Sequence, residues 1–155
     1  MGLDQYLYAK KYYSPSEWRG DNAKNEFETV IEAVGAREFV TKDMPSAQVE
    51  VKVGYWRKSN QIHQWFVDNC QGGEDDCRES HVEREQLIEL RDLCEKVLAD
   101  NSLASELLPC QGGFFFGSTE YDEWYFSDLR DTVLIINECL SGISHEWDFY
   151  YQSSW

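Results

Sequence analysis

The sequence predicts an α+β fold: an antiparallel sheet of about four to six strands with three main helices packed on it. Three observations predict it. Val49, Val51, Val53 and Tyr55 alternate with Gln48, Glu50, Lys52 and Gly54, the period of two that marks a strand with one buried face. Phe27, Val30, Ile31 and Val34 recur at i, i+3, i+4 and i+7, and Leu87, Leu90, Cys94, Val97 and Leu98 form a second helical stripe. Both ends of the chain are dense in aromatics, which suits strands that need helices on one face. A chain of 155 residues is long enough for a core, and one domain spanning 1–155 is expected.

The elements follow in order. Leu3, Tyr6, Leu7 and Tyr8 read as a first strand near 3–9. Asp4 reads as a strand-end residue bonded to a nearby turn, rather than a carboxylate aimed into a pocket. Ser14-Pro15-Ser16 and Arg19-Gly20-Asp21-Asn22 are turn chemistry. Asp21 or Asn22 can cap a helix that runs to about Val34, where Gly35 stops it. A connection with a short strand at 37–41 follows, and Pro45 breaks it. The alternating strand at 48–55 then feeds a helix over 59–69, with Ser59 as a candidate cap. Residues 71–77 form a loop without calcium-loop spacing, and 78–82 a short strand. A long helix covers 83–99, and a helical turn 102–107 ends at Pro109. Phe114-Phe115-Phe116, bounded by Gly112-Gly113 and Gly117, reads as an inner strand. Ser118 or Thr119 can cap a helix over 120–140, with Leu129, Val133, Ile136 and Leu140 packing inward. Residues 147–155 read as a final strand.

Composition narrows the function classes. Hydrophobic residues make up 42% of the chain, so it is globular rather than disordered. No stretch of about 18 apolar residues occurs, so no membrane span is expected. The N-terminus lacks the basic and apolar regions of a secretory signal, and no Ser or Thr stands at the position that N-acylation needs. A cytoplasmic setting is expected. The formal charge of −15 repels phosphates, so direct nucleic-acid binding is disfavoured. The five cysteines form no Cys-x-x-Cys pair. They read as reduced thiols, with Cys94 and Cys139 in the core. Cys70 or Cys77 with His63 or His81 fits no zinc spacing, so no metal and no cofactor is expected.

Candidate functional residues gather in two places. In the first, Trp56, Arg57, Lys58, Asn60 and His63 stand where the strand turns into the helix. Cations ahead of a helix start gain nothing from its dipole. Their plainer reading is ion pairing with some of the many carboxylates, and their sharper one is an anionic ligand. In the second, Ser118, Thr119, Glu120, Tyr121 and Tyr125 follow the triple Phe. A turn that opens a helix offers N–H groups to an anion, but no Gly-Lys-Ser/Thr follows, so it is not a P-loop. The acidic residues there suit donors instead.

Several segments together resemble a family of small phage and prophage proteins of unknown function. They are the opening Met1-Gly2-Leu3-Asp4, the run from Val53-Gly54-Tyr55-Trp56-Arg57-Lys58 through Asn60-Gln61-Ile62-His63 to Trp65-Phe66-Val67, the loop Gly73-Glu74-Asp75-Asp76-Cys77, the segment Phe114 to Trp124, and the closing Tyr150-Tyr151-Gln152-Ser153-Ser154-Trp155. Gln5 departs from the Met that the resemblance leads one to expect. The resemblance implies a phage setting and brings no catalytic residues.

The residues are compatible with three functions. The first is a non-catalytic binder of a small nucleotide-derived ligand, with Trp56, Trp65, Tyr121, Trp124 and Tyr125 as stacking candidates and an anti-defence role by analogy. The second is an acidic inhibitor that mimics nucleic acid toward a basic host protein, using Glu83, Glu85, Glu89 and Asp92. The third is a small hydrolase-type enzyme, pairing His63 with Glu120 or Asp76 and using Cys70 or Cys77 as nucleophile. A homo-oligomer is compatible with each.

Overall fold

The computed structural model describes residues 2–155. Four strands form one antiparallel sheet: β1 (Asp4–Tyr13), β2 (Ala47–Arg57), β3 (Ser80–Val82) and β4 (Asp148–Ser154), in the order β2-β1-β4-β3. In the β3–β4 pair, Ser80, His81 and Val82 oppose Tyr151, Tyr150 and Phe149. Five helices accompany the sheet: α1 (Ala23–Ala33), α2 (Asn60–Cys70), α3 (Arg84–Ala99), the single turn α4 (Ala104–Leu107) and α5 (Glu123–Gly142). The α+β class and the antiparallel sheet are as the sequence predicts.

The chain divides into two compact units, residues 10–51 and the remainder. In the smaller one, α1 buries Phe27 and Ile31, while Val34, expected on the same face, is 65% exposed. Lys10 pairs with Glu50 at 2.8 Å and Lys11 with Glu26 at 3.3 Å. The short strand expected at 37–41 is instead a 3-10 turn over Arg37–Phe39. The Arg37 guanidinium pairs with Glu28 and Glu32 of α1, which draws the segment back toward the helix.

The larger unit holds the core. Along β1, Gln5, Leu7 and Ala9 are buried, as is Leu3 just before it, the period of two that a pleated strand imposes. α3 opens with a capping box between Glu83 and Gln86. It buries Leu87, Leu90, Cys94 and Val97, each apolar side chain contributing roughly 1.5–3 kcal/mol. α5 presents Leu129, Thr132, Ile136 and Cys139 to the same core. The rings of Phe66 and Tyr151 stack with centroids 4.0 Å apart.

In the C-terminal half of β2 the buried parity is the reverse of the expected one. Gly54 and Trp56 face inward, while Tyr55 is 47% exposed. Two contacts decide this. The Trp56 indole N–H donates to Thr132 Oγ1 at 2.9 Å. A Cβ at residue 54 would sit 2.9 Å from Ile135 Cγ2, so only glycine lets α5 pack there. Tyr55 turns outward, packs against Tyr6 and donates its hydroxyl to Asp4.

Candidate functional site

The chain reverses sharply after β2. Lys58 adopts φ +59°, a left-handed conformation unusual for a residue with a side chain. Its N–H donates to the Leu3 carbonyl at 2.8 Å, and its own carbonyl accepts from the Asn60 N–H. α2 then starts at Asn60 with no side-chain cap from Ser59. Seven of its eleven residues are buried, four of them apolar: Ile62, Trp65, Phe66 and Val67. The polar three, Asn60, Gln61 and His63, must therefore find partners inside the protein.

Asn60 is a strut. Its amide N–H₂ donates to the carbonyls of Phe116 (3.1 Å) and Ser118 (2.8 Å), and its Oδ1 accepts from the Gln111 N–H at 2.9 Å. These bonds replace the expected inner strand at 114–116. The segment is a turn closed by Phe116 N–H to the Gly113 carbonyl, the Phe115 carbonyl is taken by Leu3, and Phe114 is 95% exposed. The expected Ser118 or Thr119 cap is also displaced. Asp122 caps α5, accepting from the N–H groups of Trp124 and Tyr125, and Ser118 Oγ accepts from the Glu120 N–H instead.

His63 belongs to a separate network. Its ring is fully buried, with Nε2 2.9 Å from Asp75 Oδ2 and Nδ1 2.8 Å from the Tyr151 hydroxyl. Asp75 is the acidic partner, in place of the Glu120 or Asp76 expected. Gln5 fixes the directions of these bonds. Its amide donates to the Ser59 carbonyl, so its Oε1 must accept the single Tyr151 proton. Burial pushes the Tyr151 phenol well above its ordinary value, so that proton is held. The Tyr151 oxygen is then an acceptor for His63 Nδ1–H. The Trp155 indole N–H closes the chain on Asp75 Oδ1 at 3.0 Å. This arrangement positions groups and leaves His63 no route to a substrate. The cysteine nucleophile fares no better at Cys70, where burial pushes the thiol up to about 12.

The remaining candidates meet in an open cleft of about 280 Å³. Arg57 and Lys58 come from the end of β2, Gly117, Ser118 and Glu120 from the turn, and Asp122, Trp124, Tyr125 and Asp128 from the start of α5. Gln61 and Cys110 complete it. Gly117 is required here: φ is +90°, and a Cβ would lie 3.1 Å from Lys58 Cβ. Of the ten residues expected at a site, Arg57, Lys58, Ser118, Glu120 and Tyr125 line the cleft. Trp56 and His63 are core, and Asn60 holds the wall from behind. Thr119 does not line it, and Tyr121 supports Tyr125 edge-on at 5.0 Å while its hydroxyl accepts from the Cys110 N–H.

Sequence reasoning missed Gln61, Cys110 and Asp128. Asp128 lies one turn after Trp124 and Tyr125 on α5, so the helical spacing pointed to it. Its Oδ2 accepts from the buried Gln61 amide at 3.3 Å. Burial pushes its carboxyl up, with Asp131 and Asp122 adding to the shift, while Gln61 and Ser59 pull it down. The Ser59 hydroxyl, fully buried close by, stands at the margin of hydrogen-bonding geometry with that carboxyl. Burial, Asp122 and Glu120 likewise raise the Cys110 thiol. Trp124 is 81% exposed and offers an open indole face.

The cations here are not consumed by ion pairs. Among the described residues, Arg57 and Lys58 pair with no carboxylate, although Lys10, Lys11, Arg78, Arg91 and Arg130 all do. Among the same residues no cluster of three or more His, Cys, Asp or Glu could hold a metal ion, and no helix is long and apolar enough to cross a membrane. Neither a family model nor any curated protein or solved structure matches the chain.

Proposed function

We propose that this protein binds a small, anionic, nucleotide-like ligand without transforming it, in the cleft between the end of β2 and the start of α5. One observation carries the reading: Arg57 and Lys58 stand unpaired in a cleft whose other wall is acidic. In a chain with 29 acidic and 14 basic residues, both cations line the same cleft as Glu120, Asp122 and Asp128 without pairing to them, which leaves their charge to a ligand. The open Trp124 face suits stacking, and Gln61 and Asp128 supply hydrogen-bond partners at its edge. A cleft of about 280 Å³ lies just below the roughly 300–1,000 Å³ range of ligand sites, which favours a mononucleotide over a larger signal molecule. In the phage setting that the resemblance implies, such a binder would sequester a nucleotide signal of the host.

The test is a thermal-shift panel of nucleoside monophosphates on the protein and on an Arg57→Ala/Lys58→Ala variant, with the ligand recovered after denaturation. The reading expects stabilisation of the parent, its loss in the variant, and chemically unchanged ligand. Recovery of a cleaved or otherwise altered nucleotide would make the protein an enzyme and end the proposal.

A second reading has its own observation. Glu85, Glu89 and Asp92 stand at i, i+4 and i+7 on α3, and the first two are exposed. Such a stripe suits a basic host protein, whose binding would weaken steeply with salt and ignore small ligands.

A further inference from the structure

Among nucleotides, the groups around Asp128 discriminate. This inference rests on the reading of the cleft as a nucleotide site and adds the identity of the base. Asp128 is a carboxyl partly withdrawn from water that lines the cleft, its Oδ2 accepting from the Gln61 amide at 3.3 Å. Beside it the buried Ser59 hydroxyl has capacity to spare. Water removal makes the ionised carboxylate costly until donors reach it. A ligand with two adjacent N–H groups would supply them in parallel, the bidentate geometry that carboxylates accept best.

Guanine carries that pair on its N1 and exocyclic amine. Adenine presents an acceptor at N1 and one donor at its amine, so it would leave a carboxylate oxygen facing a lone pair. A simple guanidinium or amidine has the donors too, but it would bring positive charge toward the unpaired Arg57 and Lys58. Those two favour an anion on the same molecule. Glu120 and Asp122 oppose a long polyphosphate, which leaves a single phosphate as the better match. We infer that the cleft prefers a guanosine monophosphate-type ligand, with Asp128 reading the guanine edge, Trp124 stacking on the ring and Arg57 with Lys58 holding the phosphate.

The experiment is calorimetric titration with GMP, IMP and AMP of the full chain, of Asp128→Asn and of Arg57→Ala/Lys58→Ala. Inosine lacks the exocyclic amine, so the expected order is GMP, then IMP, then AMP. One bidentate contact should separate GMP from AMP by about tenfold or more. Asparagine offers one donor and one acceptor, so Asp128→Asn should abolish the GMP preference and improve AMP. Its melting temperature, measured in parallel, should not fall, because the change removes a desolvated charge. The cation variant should weaken all three ligands while keeping their order. If GMP and AMP bind alike, and both need Arg57 and Lys58, the guanine inference is overturned and the nucleotide cleft stands. If none binds, the reading beneath it falls as well.

Discussion

Gln5 makes two side-chain hydrogen bonds and through them fixes the direction of others. Its amide donates to the Ser59 carbonyl and accepts from Tyr151, and through Tyr151 it decides where His63 keeps its hydrogens. The resemblance leads one to expect Met at this position, and Met has no acceptor for the phenol. In Gln5→Met the Tyr151 proton should turn toward His63 Nδ1, and His63 should then carry hydrogen on Nε2 alone. Nitrogen NMR of the imidazole reads this directly. An Nδ1 without hydrogen is expected in the variant, against an Nδ1 that carries hydrogen in the parent. The network can re-form around Met, so the stability loss should stay near the roughly 1 kcal/mol of one net hydrogen bond. An unchanged imidazole spectrum would contradict the assigned bond directions. Sequence showed that His63 sits among polar groups but not which ones. Its partners Asp75 and Tyr151 lie 12 and 88 residues away, and no local spacing encodes a contact that β4 delivers.

At the scale of elements, helical stripes were legible and short apolar runs were not. α1, α2, α3 and α5 fall within a few residues of the spans the periodicity predicts, because each buries a stripe at helical spacing. Phe114-Phe115-Phe116 carries no period at all. Three apolar residues between glycines fit a strand or a turn equally, and the choice was made by distant hydrogen bonds from Leu3 and Asn60. The start of α5 slipped for a related reason: Ser118, Thr119 and Asp122 can all cap, and Asn60 takes the Ser118 carbonyl. The same strut predicts how the cleft fails. Asn60→Ala removes three part-buried hydrogen bonds, leaving the Phe116 and Ser118 carbonyls and the Gln111 N–H without their partner, at about 1–3 kcal/mol in total. Hydrogen exchange should then rise at residues 111–118, and nucleotide affinity should fall although Asn60 touches no ligand. Protection equal to the parent's in that segment would show that the wall stands without it.

Across the whole molecule, net charge and local chemistry pull in opposite directions. A surplus of fifteen negative charges should repel any anion, and most of the basic residues described are spent on carboxylates or aromatic faces. The sequence made Arg57 and Lys58 visible as cations out of place at a helix start, and their plainer reading was an ion pair. The fold leaves them unpaired and brings Asp128, Gln61 and Trp124 to the same opening from other helices. Only the folded chain brings these groups together, since Gln61 and Asp128 are 67 residues apart. The most direct test of the cleft is amide and indole NMR of the labelled protein during titration with guanosine monophosphate. The account predicts saturable shifts at residues 57–61 and 117–128, with the Trp124 indole among the largest. It predicts none around His81 and His145, at the separate hollow beside β3. Shifts confined to that hollow, or an unchanged spectrum at saturating ligand, would contradict it.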